Sequence, residues 1–184
     1  MEREVTENKS GARLACESFG YRALGKTRFI GIDAWRTGEE WDALWSRRGE
    51  FMPALESLAR EYGTAITDDC SMMHHNGNEV DTENHYLAGR FFKAETPVPE
   101  GYDYYDVPTE RAAYAVFTVN KYDGDIGLAY NFTRDRILGD GEKIPYPRAY
   151  WHAAVYTDGR PQGWHDSVQT EGDCRFGYMF SVGG

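Results

Sequence analysis

The chain has few cysteines, and their spacing excludes the usual cysteine-based sites. Cys16, Cys70 and Cys174 are the only three in 184 residues, and no two of them are close enough for a C-x-x-C metal knuckle. An odd number of widely separated cysteines also argues against a disulfide framework. The N-terminal residues contain no apolar signal-peptide segment. We therefore expect a cytoplasmic protein with reduced thiols.

Positive charge and long apolar runs are also lacking. The 20 Lys and Arg residues are outnumbered by 30 Asp and Glu residues, which gives a formal net charge of −10, whereas a nucleic-acid-binding surface needs a basic face. No apolar run approaches the roughly 20 residues that cross a bilayer. The acidic balance therefore fits partners that are neutral or cationic, or it serves solubility alone. We expect no direct nucleic-acid partner and no membrane partner.

Familiar catalytic and cofactor motifs are absent from the sequence. It contains no G-x-S-x-G elbow, no phosphate-cradling glycine loop and no dinucleotide fingerprint. His74 and His75 lie in an acidic segment with Asp68, Asp69 and Asp81, but adjacent histidines in such a segment are more often solvated than metal-bound. We predict no metal and no cofactor.

Aromatic and β-branched residues are abundant, at 15% aromatic and 41% hydrophobic, and they form short runs typical of strands. We predict strands at residues 16–21, 28–35, 85–93, 102–107, 111–120, 149–157 and 175–182. Residues 1–12 are polar and are expected to be disordered. Residues 64–84 are expected to form a long loop or weak strand, and residues 158–172 a loop in which Trp164-His165-Asp166 could cover a cleft.

Two stretches show the apolar period of a helix, at residues 41–62 and 126–138. Thr37 and Glu40 have the spacing of a capping box before the first helix. Gly49 and Pro53 predict a kink or two short helices at residues 49–53, and Gly63 is a suitable stop.

The order strand, helix, strand, strand occurs twice, which predicts an α+β fold. We expect a pseudo-duplicated β-α-β-β antiparallel sheet with two main helices on one face and a ligand cleft on the other. The duplicated units are expected at residues 25–108 and 109–182, within one domain at residues 13–184.

The alternation of side chains suggests which face carries the cleft. Two apolar sets are expected under the helices: Ala113, Ala115, Phe117 and Val119, and Ala149, Trp151, Ala153 and Val155. Clustered aromatic residues on the other face suit flat or cationic ligands, although they could be ordinary half-buried sheet residues. The predicted lining is Trp35, Trp45, Tyr105, Tyr114, Tyr150, His152, Tyr156, Phe176 and Tyr178.

Short motifs with a characteristic order and spacing extend over residues 25–182. They are Phe29-Ile30-Gly31-Ile32, Leu44-Trp45, Tyr62-Gly63, Tyr86-Leu87-Ala88-Gly89, P-E-G-Y at 99–102, Val107-Pro108, Y-A-V-F at 114–117 and Y-T-D-G at 156–159. This pattern resembles the GyrI-like small-molecule-binding domain, which is also the effector-binding domain of some AraC-type and MerR-type multidrug regulators. The resemblance implies an SHS2-like duplicated fold with a central cleft for hydrophobic, often cationic, compounds. Since no helix-turn-helix region precedes the domain, we expect a stand-alone member.

One position departs from that family pattern. Members typically carry a glutamate in an aromatic-Glu-x-Tyr motif, and matching its tyrosine to Tyr156 puts Ala154 at the glutamate position. The main hypothesis is drug or toxin sequestration without turnover. The resemblance also allows a hydrolase of cyclopropane-type toxins, in which His152, expected to titrate near neutrality, or Tyr156 would act. A protein-interaction role such as gyrase inhibition is the third alternative, with no protein partner indicated.

Overall fold

The computed structural model describes residues 5–7, 11, 13–75, 84–119, 125–146, 149–156 and 174–183. The strands in these ranges are β1 (Val5–Glu7), β2 (Arg13–Ala23), β3 (Thr27–Asp33), β4 (Cys70–His75), β5 (Asn84–Lys93), β6 (Asp103–Val107), β7 (Arg111–Val119), β8 (Trp151–Val155) and β9 (Cys174–Ser181). The helices are α1 (Ala34–Thr37), α2 (Trp41–Ser46), α3 (Arg48–Tyr62) and α4 (Asp125–Gly139). None of these helices is long and apolar enough to cross a membrane.

All nine strands form one antiparallel sheet in the order β1-β2-β7-β9-β8-β4-β5-β3-β6. The predicted α+β class with a large antiparallel sheet is thus confirmed. The sheet has two similar halves, β4-β5-β3-β6 and β8-β9-β7-β2, whose strands follow the same order outward from the centre. They meet at the β4–β8 seam, where Ser71 pairs with Ala154 and Met73 pairs with His152. The two strand-helix-strand-strand units therefore lie side by side in one sheet, joined at the β4–β8 seam.

Two short links require this sheet to roll. β2 and β3 lie six strand spacings apart, which would be about 29 Å in a flat sheet with ~4.8 Å between strands. Only residues 24–26 connect Ala23 to Thr27, and four Cα steps reach at most about 15 Å. The link between β6 and β7 spans the same six positions with residues 108–110. The Leu24 N–H donates to the Glu110 carbonyl oxygen at 2.8 Å, so the two links also contact each other.

Rolling buries the sheet face that carries no helix, which we call the inner face. Trp151 lies on this face, and its Nε1–H donates to Thr109 Oγ1 of the β6–β7 link at 2.9 Å. The inner-face core contains Phe29, Cys70, Met72, Leu87, Phe91, Val107, Ala112, Trp151, Ala153, Val155 and Met179. A sheet of this size therefore has two apolar faces, since the links close over the inner one.

The opposite face, which we call the helix face, packs against α2, α3 and α4. Its core contains Leu44, Phe51, Met52, Leu55, Ala129 and Ile137 from the helices. Ala113, Ala115, Phe117 and Val119 lie beneath them, as predicted. These helix-face contacts make up the larger of the two cores.

The prediction that Ala149, Trp151, Ala153 and Val155 also lie under the helices is wrong. Trp151, Ala153 and Val155 lie on the inner face, while Tyr150, Ala154 and Tyr156 join the helix-face core. Alternation shows which side chains of one strand share a face, but the pairing with neighbouring strands decides whether that face is the inner face or the helix face. Here Ala154 pairs with Tyr178, and Tyr178 pairs with Ala115.

Several elements differ from the sequence-based expectation. β4 is a regular strand within residues 64–84, and its pairing with β5 makes β6 an additional edge strand. Residues 5–7, expected to be disordered, pair with β2 as β1, so β2 lies between β1 and β7. Asp81 and residues 158–172, including Trp164-His165-Asp166, lie outside the described residues.

The region before α2 also differs, because Thr37 does not form the expected capping box. Asp33 caps α1 by accepting the Trp35 N–H at 2.9 Å, and Thr37 Oγ1 donates back to the Asp33 carbonyl oxygen at 3.2 Å. The chain then turns at Gly38, which has a φ of 68°, a conformation that suits glycine. α2 and α3 are separate helices that meet at Arg47, close to the predicted interruption.

Gly31 and Gly89 face each other across β3 and β5 at very close range. A Cβ on Gly89 would lie 2.0 Å from the Ile30 carbonyl oxygen, and a Cβ on Gly31 would lie 2.2 Å from the Ala88 carbonyl oxygen. Because both obstacles are backbone atoms, no side-chain rotation can relieve the overlap.

We expect Gly89→Ala to lower the free energy of unfolding by about 2 kcal/mol or more, since overpacking against backbone strains both strands. The matched control is Gly20→Ala in β2, where nothing lies within 4 Å of the added Cβ. Urea denaturation of both variants measures the difference. Equal effects of the two substitutions would contradict the close approach of β3 and β5.

Candidate ligand-binding cavity

A cavity of about 670 Å³ lies over the β4–β8 seam on the helix face, beside α1 and α2. Its floor consists of strand residues Ser71, Met73, His152, Ala154 and Tyr178, and its rim includes Trp35, Glu39, Glu40, Trp41 and Tyr86. This volume falls in the range of pockets that enclose drug-sized ligands, roughly 300–1,000 Å³. The cavity lies on the helix face, whereas the cleft predicted from the sequence lies on the face away from the helices.

Small side chains at the seam create the space. Ser71 and Ala154 are directly opposite each other in the register, and neither projects far above the sheet. Tyr156 is almost completely buried beside them, and its hydroxyl forms a hydrogen bond with Ser71 Oγ. The centre of the floor therefore leaves space above it, and the Ser71 and Tyr156 hydroxyls there are already hydrogen-bonded to each other.

The remaining polar pair on the floor is His152 with Tyr178. Tyr178 Oη lies 2.7 Å from His152 Nδ1, and the two rings stack with centroids 5.7 Å apart. The other ring nitrogen of His152, Nε2, is buried and has no hydrogen-bond partner among the described residues. The ring also packs against Tyr130 and Phe180.

These surroundings keep the floor uncharged. Burial lowers the pKa of His152 to about 3, and the nearby His75 adds to the shift, because a desolvated imidazolium is unfavourable. The expectation that His152 titrates near neutrality is therefore wrong. Burial also raises the pKa of Tyr178 well above its ordinary value, so both groups are neutral at physiological pH.

The rim is aromatic and open to solvent. The Trp41 ring lies 5.8 Å from Tyr86 and 5.9 Å from the buried Trp45. Trp35 is 54% exposed and Tyr86 is 43% exposed. Exposed aromatic rings around a concave surface are typical of ligand-binding sites, since they provide apolar area that a ligand can cover.

Two carboxylates lie at the rim, and they differ in their pairing. Glu39 accepts two hydrogen bonds from the Arg47 guanidinium, at 2.8 and 2.6 Å, and these bonds lower the pKa of Glu39. Glu40 occupies the N-cap position of α2, but its side chain makes no capping hydrogen bond. Within the part of the chain that the structure describes, no hydrogen bond or ion pair engages the Glu40 carboxylate.

The nine predicted lining residues divide into three groups. Trp35, His152 and Tyr178 line the cavity. Four others are buried in the helix-face core: Trp45, Tyr150, Tyr156 and Phe176. Tyr105 and Tyr114 pack on the inner face, where Tyr105 stacks on His74 at 3.8 Å and the Arg22 guanidinium lies 4.0 Å from the Tyr114 ring centre.

Sequence reasoning missed Ser71, Met73, Glu39, Glu40, Trp41 and Tyr86. Ser71 and Met73 alternate with the buried Cys70 and Met72, a period-two signal that the neighbouring acidic residues concealed. Trp41 was recognised as part of a helix, but nothing in the pattern distinguishes a rim tryptophan from a core one.

The acidic segment around His74 and His75 forms ion pairs and ring contacts. Asp69 is buried and forms ion pairs with Arg48 and Arg90, which ties α3 to β5. His74 lies between the rings of Tyr105 and His85. In the described ranges, no three His, Cys, Asp or Glu side chains are grouped so that they could hold a metal ion.

Comparison with known proteins identifies similar folds. No protein-family model matches the chain, and no curated protein sequence matches it. A candidate bacterial transcription regulation protein from Staphylococcus aureus MU50 is similar with a TM-score of 0.56 and 12% identity, over 91% of this chain and 99% of that one. The structure of SAV2435 bound to tetraphenylphosphonium is similar with a TM-score of 0.58 and 12% identity, over 91% of this chain and 94% of that one. At this identity the similarity shows a shared fold.

The pKa of His152 makes folding stability depend on pH. The imidazole has a pKa of about 3 in the folded chain and about 6.5 in an unfolded one. Between these values only the unfolded state is protonated, so stability is complete above pH 6.5 and is lost as the pH falls below it. His74 contributes in the same direction, since burial lowers its pKa to about 4.

We expect His152→Phe to reduce the stability lost between pH 7 and pH 5 by about 2 kcal/mol, because one such group no longer titrates. Urea denaturation of the wild type and the variant at both pH values gives this difference directly. The hydrogen bond lost to Tyr178 lowers stability at both pH values and cancels in the comparison. Identical pH dependence in the two proteins would show that His152 is not held neutral.

Proposed function

We propose that this protein binds hydrophobic and aromatic small molecules, cations among them, in the cavity over the seam and sequesters them without chemical change. The observation that carries this proposal is the combination of an aromatic, solvent-open rim with an uncharged floor in a cavity of about 670 Å³. Such a cavity offers mainly apolar contact and few polar groups to restrict ligand identity.

The expected affinity follows from the area that a ligand covers. A flat aromatic ligand that buries about 300 Å² of apolar surface gains roughly 7 kcal/mol at ~25 cal/mol per Å². Stacking on Trp41, Tyr86 or Tyr178 adds about 0.5–1.5 kcal/mol for each favourable ring pair. Association costs at least about 4 kcal/mol of lost freedom. The balance, roughly 4–7 kcal/mol, corresponds to dissociation constants between about 10 μM and 1 mM, which suits a protein that binds varied ligands.

The similar structures support a ligand-binding fold of this kind. SAV2435, which shares the fold at a TM-score of 0.58, is bound to tetraphenylphosphonium, a hydrophobic cation. The resemblance of the sequence motifs to the GyrI-like domain points to the same class of protein. We therefore propose a GyrI-like binding protein, related in fold to effector-binding domains.

Turnover is not favoured by the groups on the floor. The sequence resemblance matches Ala154 to the family's glutamate, and Ala154 lines the cavity, so no acid or nucleophile is present at that position. His152 is a weak base because burial lowers its pKa to about 3, and Tyr156 already forms a hydrogen bond with Ser71. Hydrolysis of a strained ring needs a positioned acid or activated nucleophile. Binding without turnover is therefore the better-supported function.

We expect Trp41→Ala and Tyr86→Ala each to weaken binding of rhodamine 6G, a flat hydrophobic cation, by about 1 kcal/mol, or roughly fivefold. Tyr104→Ala is the matched control, because Tyr104 is an exposed aromatic residue on β6 that does not line the cavity. Fluorescence anisotropy titration measures all three. If Tyr104→Ala weakens binding as much as the other two, the dye binds elsewhere on the sheet.

A further inference from the structure

The cavity has its negative charge at the rim and none on the floor. We propose that Glu40 is the counter-ion for a cationic head group, and that the preferred ligands are amphipathic cations with the charge at one end and an apolar tail directed to the floor. This inference rests on the proposed function and specifies the ligand class and its orientation. Four observations carry it: the neutral floor, the paired Glu39, the unpaired Glu40 and the aromatic rim.

A floor without charge disfavours a buried cation. Ala154 and Met73 offer only apolar contact there, and His152 is a neutral imidazole engaged by Tyr178. Bringing a cation into such surroundings removes its hydration without supplying an opposite charge, which is unfavourable. An apolar tail has no such cost, so the floor selects the uncharged end of a ligand.

The two rim carboxylates are not equivalent as counter-ions. Glu39 is already neutralised by Arg47, whose Nη2 lies 2.6 Å from its carboxylate, and Arg47 also contacts Glu50 at 3.4 Å. Glu40 is exposed and lines the cavity, and no arginine or lysine in the described ranges pairs with it. It is therefore the carboxylate that remains available to a ligand.

The aromatic rings of the rim suit the same head group. Trp35 and Trp41 lie on either side of Glu40 in the chain, and the Trp41 ring lies 5.8 Å from Tyr86. Ammonium groups bind favourably over the faces of such rings, tryptophan above all. A head group at the rim also keeps part of its hydration, so it can pair with Glu40 at a low desolvation cost.

The test compares two fluorescent probes that differ only in a terminal trimethylammonium group. Diphenylhexatriene is a neutral rod, and its trimethylammonium derivative carries one quaternary ammonium at one end. We expect the wild type to bind the charged probe more tightly, and Glu40→Gln to weaken that probe about fivefold while leaving the neutral probe unchanged within about twofold. Raising the salt concentration should weaken the charged probe in the wild type and have less effect in the variant.

Two controls separate this effect from general electrostatics. Glu61→Gln removes the same charge from an exposed position on α3 that does not line the cavity, and it should change neither probe. Tetraphenylphosphonium encloses its charge within four phenyl rings, and its affinity should be insensitive to Glu40→Gln.

The outcomes distinguish the two proposals. If neither probe binds, the proposed function is overturned together with this inference. If both probes bind and Glu40→Gln alters them equally or not at all, the binding function stands and the assignment of Glu40 is overturned. Equal effects of Glu61→Gln and Glu40→Gln on the charged probe would likewise reject a specific counter-ion.

Discussion

The structure depends on the shortness of two links that join opposite ends of its sheet. Residues 24–26 and 108–110 each span six strand positions, which a flat sheet would not allow. The resulting roll buries the inner face without a covering helix, and all of the packed helices lie on the helix face. The β4–β8 seam lies at the centre of the helix face, and the small side chains of Ser71 and Ala154 leave a cavity above it.

The chemistry of the cavity follows from which groups the roll buries. His152 and Tyr178 are packed among aromatic rings, so burial shifts the pKa of each toward its neutral form. The charged groups remain at the rim, where Glu39 and Glu40 reach solvent on the turn between α1 and α2. Ala154 on the floor carries no charge, so the negative charge of the site lies at its edge, and the proposed ligand orientation reflects that arrangement.

Much of the fold could be predicted from the sequence, because periodicity marks strands and helices locally. The strands around Phe91 and Phe117 and the helix before Gly63 were located within a few residues. The prediction assigns the two faces of β8 the wrong way round. Rolling buries both faces, so apolar content does not distinguish the inner face from the helix face. For the same reason Tyr105 and Tyr114 are predicted among the cleft residues. The rim residues Trp41 and Glu40 carry the local signals of a helix start, which do not distinguish a ligand-binding residue from a structural one.

The central claim is that the binding site lies over the seam on the helix face. A crystal structure with 4-bromobenzyl-trimethylammonium tests it directly, since anomalous scattering locates the bromine atom independently of the surrounding electron density. We expect the bromine over the floor near Tyr178 and Ala154, with the ammonium group directed to Glu40. A bromine peak on the inner face, beside Tyr105 or Tyr114, would contradict the account.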